Sequence, residues 1–383
     1  MSTPIFVPVR RIAQGSSRPL RALLDAARAR PAPRPIPPEH CAIDWVRMRP
    51  GMYIGDVHDG TGLEHCVWEM AANAVDQHLR GAARRLAFSF DDEGAIEVAD
   101  DGPGFSLAED DRGVTFLERA VSSLHATATL DGHFPHVHLT SSYFGCGLAS
   151  VAAVARSFSV ETVHGEAYAQ ITMEEGQRRA LEITERRNRP RGTRVRFAPD
   201  PAIFGNTAFD RASLRARAQE IAWWLPELTV TWQGEELPGL GGSAEWIRHL
   251  TGGEPLVATR RPMNDVLVDV ALGYVDHESK DLRSWVNLQR TREGTHELGV
   301  VDALVAMARD EGSRAPRRTL EKALCRGLVA RVHVWMLGPE FDSPTRTQLR
   351  SPVARPAVSR AIVSSVAALP LDAPIRRAIR ARC

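Results

Sequence analysis

The sequence has almost no lysine. Of 48 basic residues only Lys280 and Lys322 are lysines, so nearly every cation is a guanidinium. Cysteine is sparse too: Cys41, Cys66, Cys146, Cys325 and Cys383 are scattered, odd in number and without a CxxC pair. That pattern argues against a disulfide framework and a thiolate zinc site. No apolar run reaches the ~20 residues a membrane helix needs, and the first residues lack the apolar stretch of a secretory signal. These absences lead us to expect a cytoplasmic protein with no membrane partner. No internal repeat is visible.

What is present is a globular composition: 383 residues, 43% hydrophobic and 25% charged, enough for two domains with a core each. The net charge of +1 conceals an asymmetry. Residues 1–40 hold seven arginines against Asp25 and Glu39, a balance of +5. Residues 311–383 hold thirteen arginines and Lys322 against five acids, a balance of +9, which leaves −13 for the middle. Basic ends on an acidic body suit a protein that meets a polyanion such as DNA; plain arginine bias is the competing reading.

Residues 1–40 are rich in Pro and Arg and read as a flexible arm, with a short helix at Leu20–Ala29. In Thr61–Leu79, Leu63, Val67, Met70, Ala74 and Val75 recur at helical spacing. Arg85–Phe90 and Ala95–Ala99 alternate like a hairpin turned at Asp92-Glu93-Gly94. Gly104 to Gly145 reads as a long mobile loop, and Gly147–Ala155 as a small-residue helix. Strands are expected at Ser157–Val163, Ala167–Met173 and Arg194–Phe197. Pro199-Asp200-Pro201 then breaks the pattern, which puts a domain boundary near Phe204. Beyond it we expect helices at Ser213–Trp224, Val300–Arg309 and Ala357–Ala368, strands at Leu267–Gly273 and Leu328–Met336, and a basic tail over 370–383.

Three motifs carry chemistry, and each has a plainer reading. Glu69, Asn73 and Asp76 stand at i, i+4 and i+7 on one stripe of a helix; a solvated face would look the same. Asp100 ends a strand and runs into Asp101-Gly102-Pro103-Gly104. That arrangement lets backbone approach a planar ligand while a carboxylate accepts from its amino group, although turns often look alike. Gly145-Cys146-Gly147 precedes a helix whose first amides could hold phosphate; an ordinary loop-to-helix turn is the alternative.

Order and spacing of these motifs resemble the DNA gyrase B and topoisomerase IV family within the GHKL ATPases. The resemblance runs from RPGMYIGD (Arg49–Asp56) and DGTGLEH (Asp59–His65) through EMAANAVDQ (Glu69–Gln77), DDGPGF (Asp100–Phe105) and LHA (Leu124–Ala126). It continues in GTRVRFAPD (Gly192–Asp200), QRTREGTHELG (Gln289–Gly299) and FDSPTRTQL (Phe341–Leu349). It implies an α+β chain, a GHKL (Bergerat) two-layer α/β sandwich over 41–204 followed by a transducer resembling ribosomal protein S5 domain 2 over 205–369. It also implies ATP and Mg²⁺ as cofactors. Glu69 would be the general base toward water. Asn73 would be the Mg²⁺ ligand, beside Asp76 on the same helix. Asp100 and Thr193 would read adenine, Gly102 and Gly104 would admit the base, and Gly145 and Gly147 would line the phosphates. Arg346 would reach the γ-phosphate from the second domain.

The implied activity is an ATP-operated homodimer gate, working on DNA with a gyrase A-like or TOPRIM-bearing cleavage partner. Two alternatives are a nucleotide-gated clamp that does not hydrolyse and a GHKL ATPase outside DNA topology. Nothing after Leu349 resembles a TOPRIM or cleavage domain, so no strand cutting is expected of this chain alone. Departures from the family pattern fall around the nucleotide. Gln77 and Pro103 replace an acid–arginine ion pair, and Thr127-Ala128-Thr129 replaces Gly-Gly-Lys. Ser141–Phe144 replace glycine-rich lid residues, Pro344 replaces a glutamine, and Arg346 replaces a lysine. His133, His136 and His138 form an HxxHxH run that we read as polar lid residues rather than as a zinc site.

Overall fold

The computed structural model describes residues 42–124, 147–276, 278–336, 338–342 and 346–383. The arm at 1–40, the histidine run, Gly145, the Thr127–Thr129 and Ser141–Phe144 substitutions and Pro344 lie outside the described residues. Among those described, no helix is long and apolar enough to cross a membrane.

The chain forms two compact units, divided between Leu240 and Gly241. The first is built on an eight-stranded sheet in the order β5-β4-β3-β6-β2-β1-β7-β8. Its strands are β1 (Arg85–Phe90), β2 (Ile96–Asp100), β3 (Ala155–His164), β4 (Ala167–Glu174), β5 (Gln177–Glu185), β6 (Gly192–Pro199), β7 (Thr229–Trp232) and β8 (Glu235–Leu237). The boundary expected near Phe204 is therefore too early. β7 pairs in parallel with β1, Arg85 opposite Thr229 through Phe88 opposite Trp232, so the sheet is complete only after residue 237.

Four helices form the second layer of this unit: α1 (Ala42–Met48), α2 (Thr61–Leu79), α3 (Phe116–Ser122) and α4 (Gly147–Ala153). Helix α2 buries Leu63, Val67, Met70, Ala74 and Val75 and packs on β1, β2 and α4. In the hairpin, Leu86 and Phe88 pair with Asp100 and Val98, and the alternation buries Leu86, Phe88, Ile96 and Val98. Helix α3 interrupts the stretch expected to be loop. Its start is a capping box, with Thr115 Oγ1 accepting from the Glu118 amide and Glu118 Oε2 from the Thr115 amide. Helix α5 (Arg211–Trp224), capped by Asp210, leads into β7.

The second unit holds a five-stranded sheet, β12-β11-β14-β10-β9. These are β9 (Val257–Met263), β10 (Val266–Tyr274), β11 (Asp281–Val286), β12 (Gln289–Thr291) and β14 (Leu328–Met336); β13 (Glu293–Gly294) pairs separately with β15 (Gln348–Leu349). Every residue of β14 is buried. Ala330, Val332 and Val334 join a core with helices α7 (Thr295–Asp310), α8 (Arg317–Cys325) and α9 (Ala354–Ala367). The alternate residue Val329 packs with Ile247 of helix α6 (Ser243–Thr251).

Residues 370–383 do not form the free basic tail expected from their charge. Helix α10 (Pro374–Arg380) sinks Ile375 and Ile379 into the core of this unit. Arg376 and Arg380 both pair with Glu311, at 2.7 Å each, and hold its carboxyl below the usual range. Apolar side chains at i and i+4 on a charged helix pull the segment in, and the arginines are neutralised as it docks.

Candidate functional site

The first unit gathers most of the expected residues at the end of β2. Asp100 is the last residue of that strand and lies opposite Thr193 on β6, which in turn lies opposite Thr162 on β3. Three neighbouring strands thus align an acid and two hydroxyls. The turn after Asp100 is held from both sides. The Gly102 amide donates to Asp100 Oδ1 at 2.7 Å, and the Phe105 amide donates to Thr162 Oγ1 at 2.8 Å. Thr162 Oγ1 stands 3.4 Å from Thr193 Oγ1.

Glycine is required here by contact as well as by conformation. Gly104 has φ +78°, and a Cβ there would come within 2.2 Å of the Val163 carbonyl oxygen. Gly192 has φ +137°, and its Cβ would meet the Asp100 carbonyl oxygen at 1.9 Å. Burial pushes the Asp100 carboxyl up to about 7; the Gly102 amide and Arg191 pull it down and Asp101 pushes it further up.

Helix α2 supplies the second group. Glu69 and Asp76 are buried, and Asn73 is half-buried, its Nδ2 donating to the Glu69 carbonyl oxygen at 3.3 Å. Neither Glu69 carboxylate oxygen has a hydrogen-bond partner among the described residues. His65 stands one turn before Glu69, its Nε2 3.5 Å from Glu69 Oε1. One turn away, burial raises the Cys66 thiol far above its usual range, and Glu69 adds to the shift. The two groups adjoin: a Cβ on Gly102 would stand 3.4 Å from Gln77 Cβ on α2. Helix α4 packs on α2, and Gly147 at its first position has φ +54°.

Gln77, Pro103 and His164 also come together around this turn. His164 Nδ1 is 3.0 Å from the Pro103 carbonyl oxygen. Arg346 belongs to the second unit, is buried, and has φ +56°, uncommon for a residue that carries a Cβ. The segment after it is pinned: the Arg292 amide donates to the Thr347 carbonyl oxygen at 2.8 Å, and Gln348 and Leu349 pair with Glu293 and Gly294.

Sequence reasoning passed over three residues here. His65 precedes Glu69 by four on one helix, which was signal enough to ask about it. Gly192 was visible only as the first letter of GTRVRF. Thr162 carried no signal, because its role rests on strand register.

Comparison with known proteins places the chain among relatives. The family model for DNA gyrase B matches residues 242–371. The DNA gyrase B protein of Thermotoga maritima is 30% identical over 351 residues, 84% of this chain and 54% of that protein. The topoisomerase 4 counterpart of gyrase B from Streptococcus pneumoniae is 30% identical over 372 residues, 89% of this chain and 56% of that protein. The chain thus spans about half the length of these curated relatives. Among solved structures, the 43K ATPase domain of Thermus thermophilus gyrase B, in complex with an aminocoumarin, superposes with a TM-score of 0.68. It is 26% identical, over 90% of this chain and 94% of that one. In sequence, in fold and in the order of its motifs, the chain belongs to the DNA gyrase B and topoisomerase IV family, with the architecture of its ATPase region.

Proposed function

We propose that the first unit binds ATP with Mg²⁺ and splits it, and that the chain acts as an ATP-operated dimer gate in DNA topological change beside a cleavage partner. The observation that carries this reading is Glu69, a buried carboxylate with no hydrogen-bond partner among the described residues. A carboxylate left so inside a protein costs several kcal/mol unless something else solvates it. A water held for attack on a phosphate would do so, with Glu69 as the base and His65 beside it orienting the carboxylate.

Asn73 would hold Mg²⁺, which supplies charge neutralisation along the phosphates when bound. Asp76 would support the same face of α2. Asp100 accepts from the adenine amino group, Thr193 assists, and Gly102 and Gly104, where a Cβ would collide with the protein itself, let the turn close up while giving the base its approach. Gly147 and Gly145 would line the phosphates, and Arg346 would supply a guanidinium to the γ-phosphate, with a geometry that differs from a lysine's.

Calorimetry with ATP and turnover measured side by side test the proposal. Wild type should bind ATP and hydrolyse it slowly, and Glu69→Ala should keep binding while losing on the order of a hundredfold or more in rate. Equal rates would remove Glu69 from the base role, binding without turnover would select the non-hydrolysing clamp, and absent binding would sink the reading.

A further inference from the structure

Arginines of the first unit fall into two classes. One class is neutralised: Arg47 pairs with Asp200, Arg178 with Glu118, Arg179 with Glu174, Arg194 with Glu97, Arg196 with Asp91 and Arg215 with Glu235. Of the other class, which forms no salt bridge among the described residues, six gather around Asp101 and the loop between β5 and β6. Arg84 and Arg85 are exposed, and their amides donate to Asp101 Oδ1 at 2.7 and 2.9 Å. Arg191 reaches the same residue, its Nε donating to the Asp101 carbonyl oxygen at 3.1 Å and Nη2 to the Ala82 carbonyl oxygen at 3.0 Å. Arg191 closes the loop between β5 and β6, which also holds Arg186, Arg187 and Arg189. Arg186 donates to a carbonyl, Arg189 lies 3.6 Å over the Tyr168 ring, and Arg187 is exposed. The acids nearby are Asp101, Glu185, Glu166, whose carbonyl accepts from the Arg186 amide, and Glu161, which acts on Tyr168 beside Arg189.

We propose that the surface formed by Arg84, Arg85, Arg186, Arg187, Arg189 and Arg191 binds the phosphate backbone of duplex DNA. Guanidinium groups without a carboxylate salt bridge keep their charge for a ligand, and their planar forks match phosphate oxygens. Repulsion among six of them is tolerated best when a polyanion is there to relieve it. A duplex fits better than a single strand. Single strands are held by stacking on open aromatic faces, and Tyr168, the ring within this surface, is already covered by Arg189. The choice of DNA among polyanions rests on the proposed role in DNA topology; the exposed charge does not.

The test is fluorescence anisotropy of a labelled duplex of about 20 base pairs against the full chain over a range of salt. Arg84→Ala/Arg85→Ala/Arg187→Ala is compared with Arg179→Ala/Arg194→Ala/Arg215→Ala, which removes the same charge from paired positions. Alanine keeps the amides that hold Asp101, so the melting temperature should not move. The first variant should bind about tenfold or more weakly at low salt. Its dependence of log affinity on log salt should be shallower by roughly three, since each phosphate contact contributes about 0.9. The second should bind like wild type. Wild-type affinity and slope in the first variant, or an equal loss in both, would overturn the proposal. So would polyglutamate competing as well as duplex at equal charge. ATP binding is read on the same samples. Its failure in wild type would refute the nucleotide reading while the duplex result still decides this one.

Discussion

Both units hold half-buried acids whose carboxyls are raised to about 7, Asp100 in the first and Glu297 in the second, and desolvation is the main cause in each. Their surroundings differ. Asp100 accepts one backbone amide, at the edge of a turn stripped of side chains. Glu297 is the end of a closed chain. Ser284 Oγ donates to it at 2.6 Å and lies 2.6 Å from Thr291 Oγ1, which is 3.0 Å from His296 Nε2. Nearby, the Asn287 side chain exchanges two bonds with the Met336 backbone. A perturbed acid is therefore a poor marker of a ligand site by itself. Each accepts one hydrogen bond, and what separates the two is its source: a backbone amide in a glycine turn for Asp100, and a side-chain chain running through Thr291 to His296 for Glu297.

If that contrast is sound, replacing Asp100 should damage binding and relieve the fold at once. Asp100→Ala should weaken ATP by about a hundredfold, the loss of a hydrogen bond to a charged acceptor together with an unmet amino group. Asp100→Asn should stabilise the protein at neutral pH. The folded carboxyl at about 7 lies above its ordinary value of 3.8, so the folded state holds the proton more tightly. Wild-type stability then falls as pH rises from about 4 to 7, and the full penalty stands above 7. The difference in melting temperature between wild type and Asp100→Asn should widen over that window, and a constant difference would show that Asp100 is not the titrating group.

A second probe uses the rim. The family resemblance implies that aminocoumarins overlap the ATP pocket and lean on an acid–arginine pair and a further arginine. By that resemblance Gln77, Pro103 and His164 would stand at those positions, and His164 Nδ1 lies 3.0 Å from the Pro103 carbonyl oxygen. Loss of a charge-assisted contact contributes about 1.5–3 kcal/mol, or ten- to a hundredfold. ATP affinity measured by calorimetry should be retained and aminocoumarin affinity should be weak. Coumarin binding as tight as that of an ordinary gyrase B would show that these three residues are not the rim.

The smallest effect belongs to the closed chain. Thr291→Val breaks its middle and should cost roughly 1–2 kcal/mol of stability, seen in a thermal scan, with ATP affinity untouched. A change in ATP affinity would erase the distinction between the two sets.

Much of this was legible beforehand where one physical signal dominated. Thr61–Leu79 and Leu328–Met336 were read to the residue, the first from a 3.6-residue apolar stripe and the second from an unbroken apolar run around buried Arg331 and His333. The Asp100 turn was legible through its place among the other motifs, since glycines at alternate positions also mark ordinary turns. Strand β5 was missed because it is an edge strand, exposed along nearly its whole length, so no face of it is apolar. Helix α3 was missed although Thr115 and Glu118 spell a capping box, since the surrounding glycines suggested loop. The closed chain beneath QRTREGTHELG depends on which strands lie side by side, and no spacing in the sequence states that.

The parallel pairing of β1 with β7 has a practical consequence for anyone dissecting the protein. A fragment ended at Phe204, where the composition breaks, would leave the backbone of β1 open along Arg85–Phe88. That is a ready template for another chain and an invitation to aggregate. Ended at Leu240 instead, the same fragment would carry its own last strands and keep Trp232 packed against Phe88 and Phe90. The minimal folding piece is thus set by a strand recruited from beyond the point where the composition breaks.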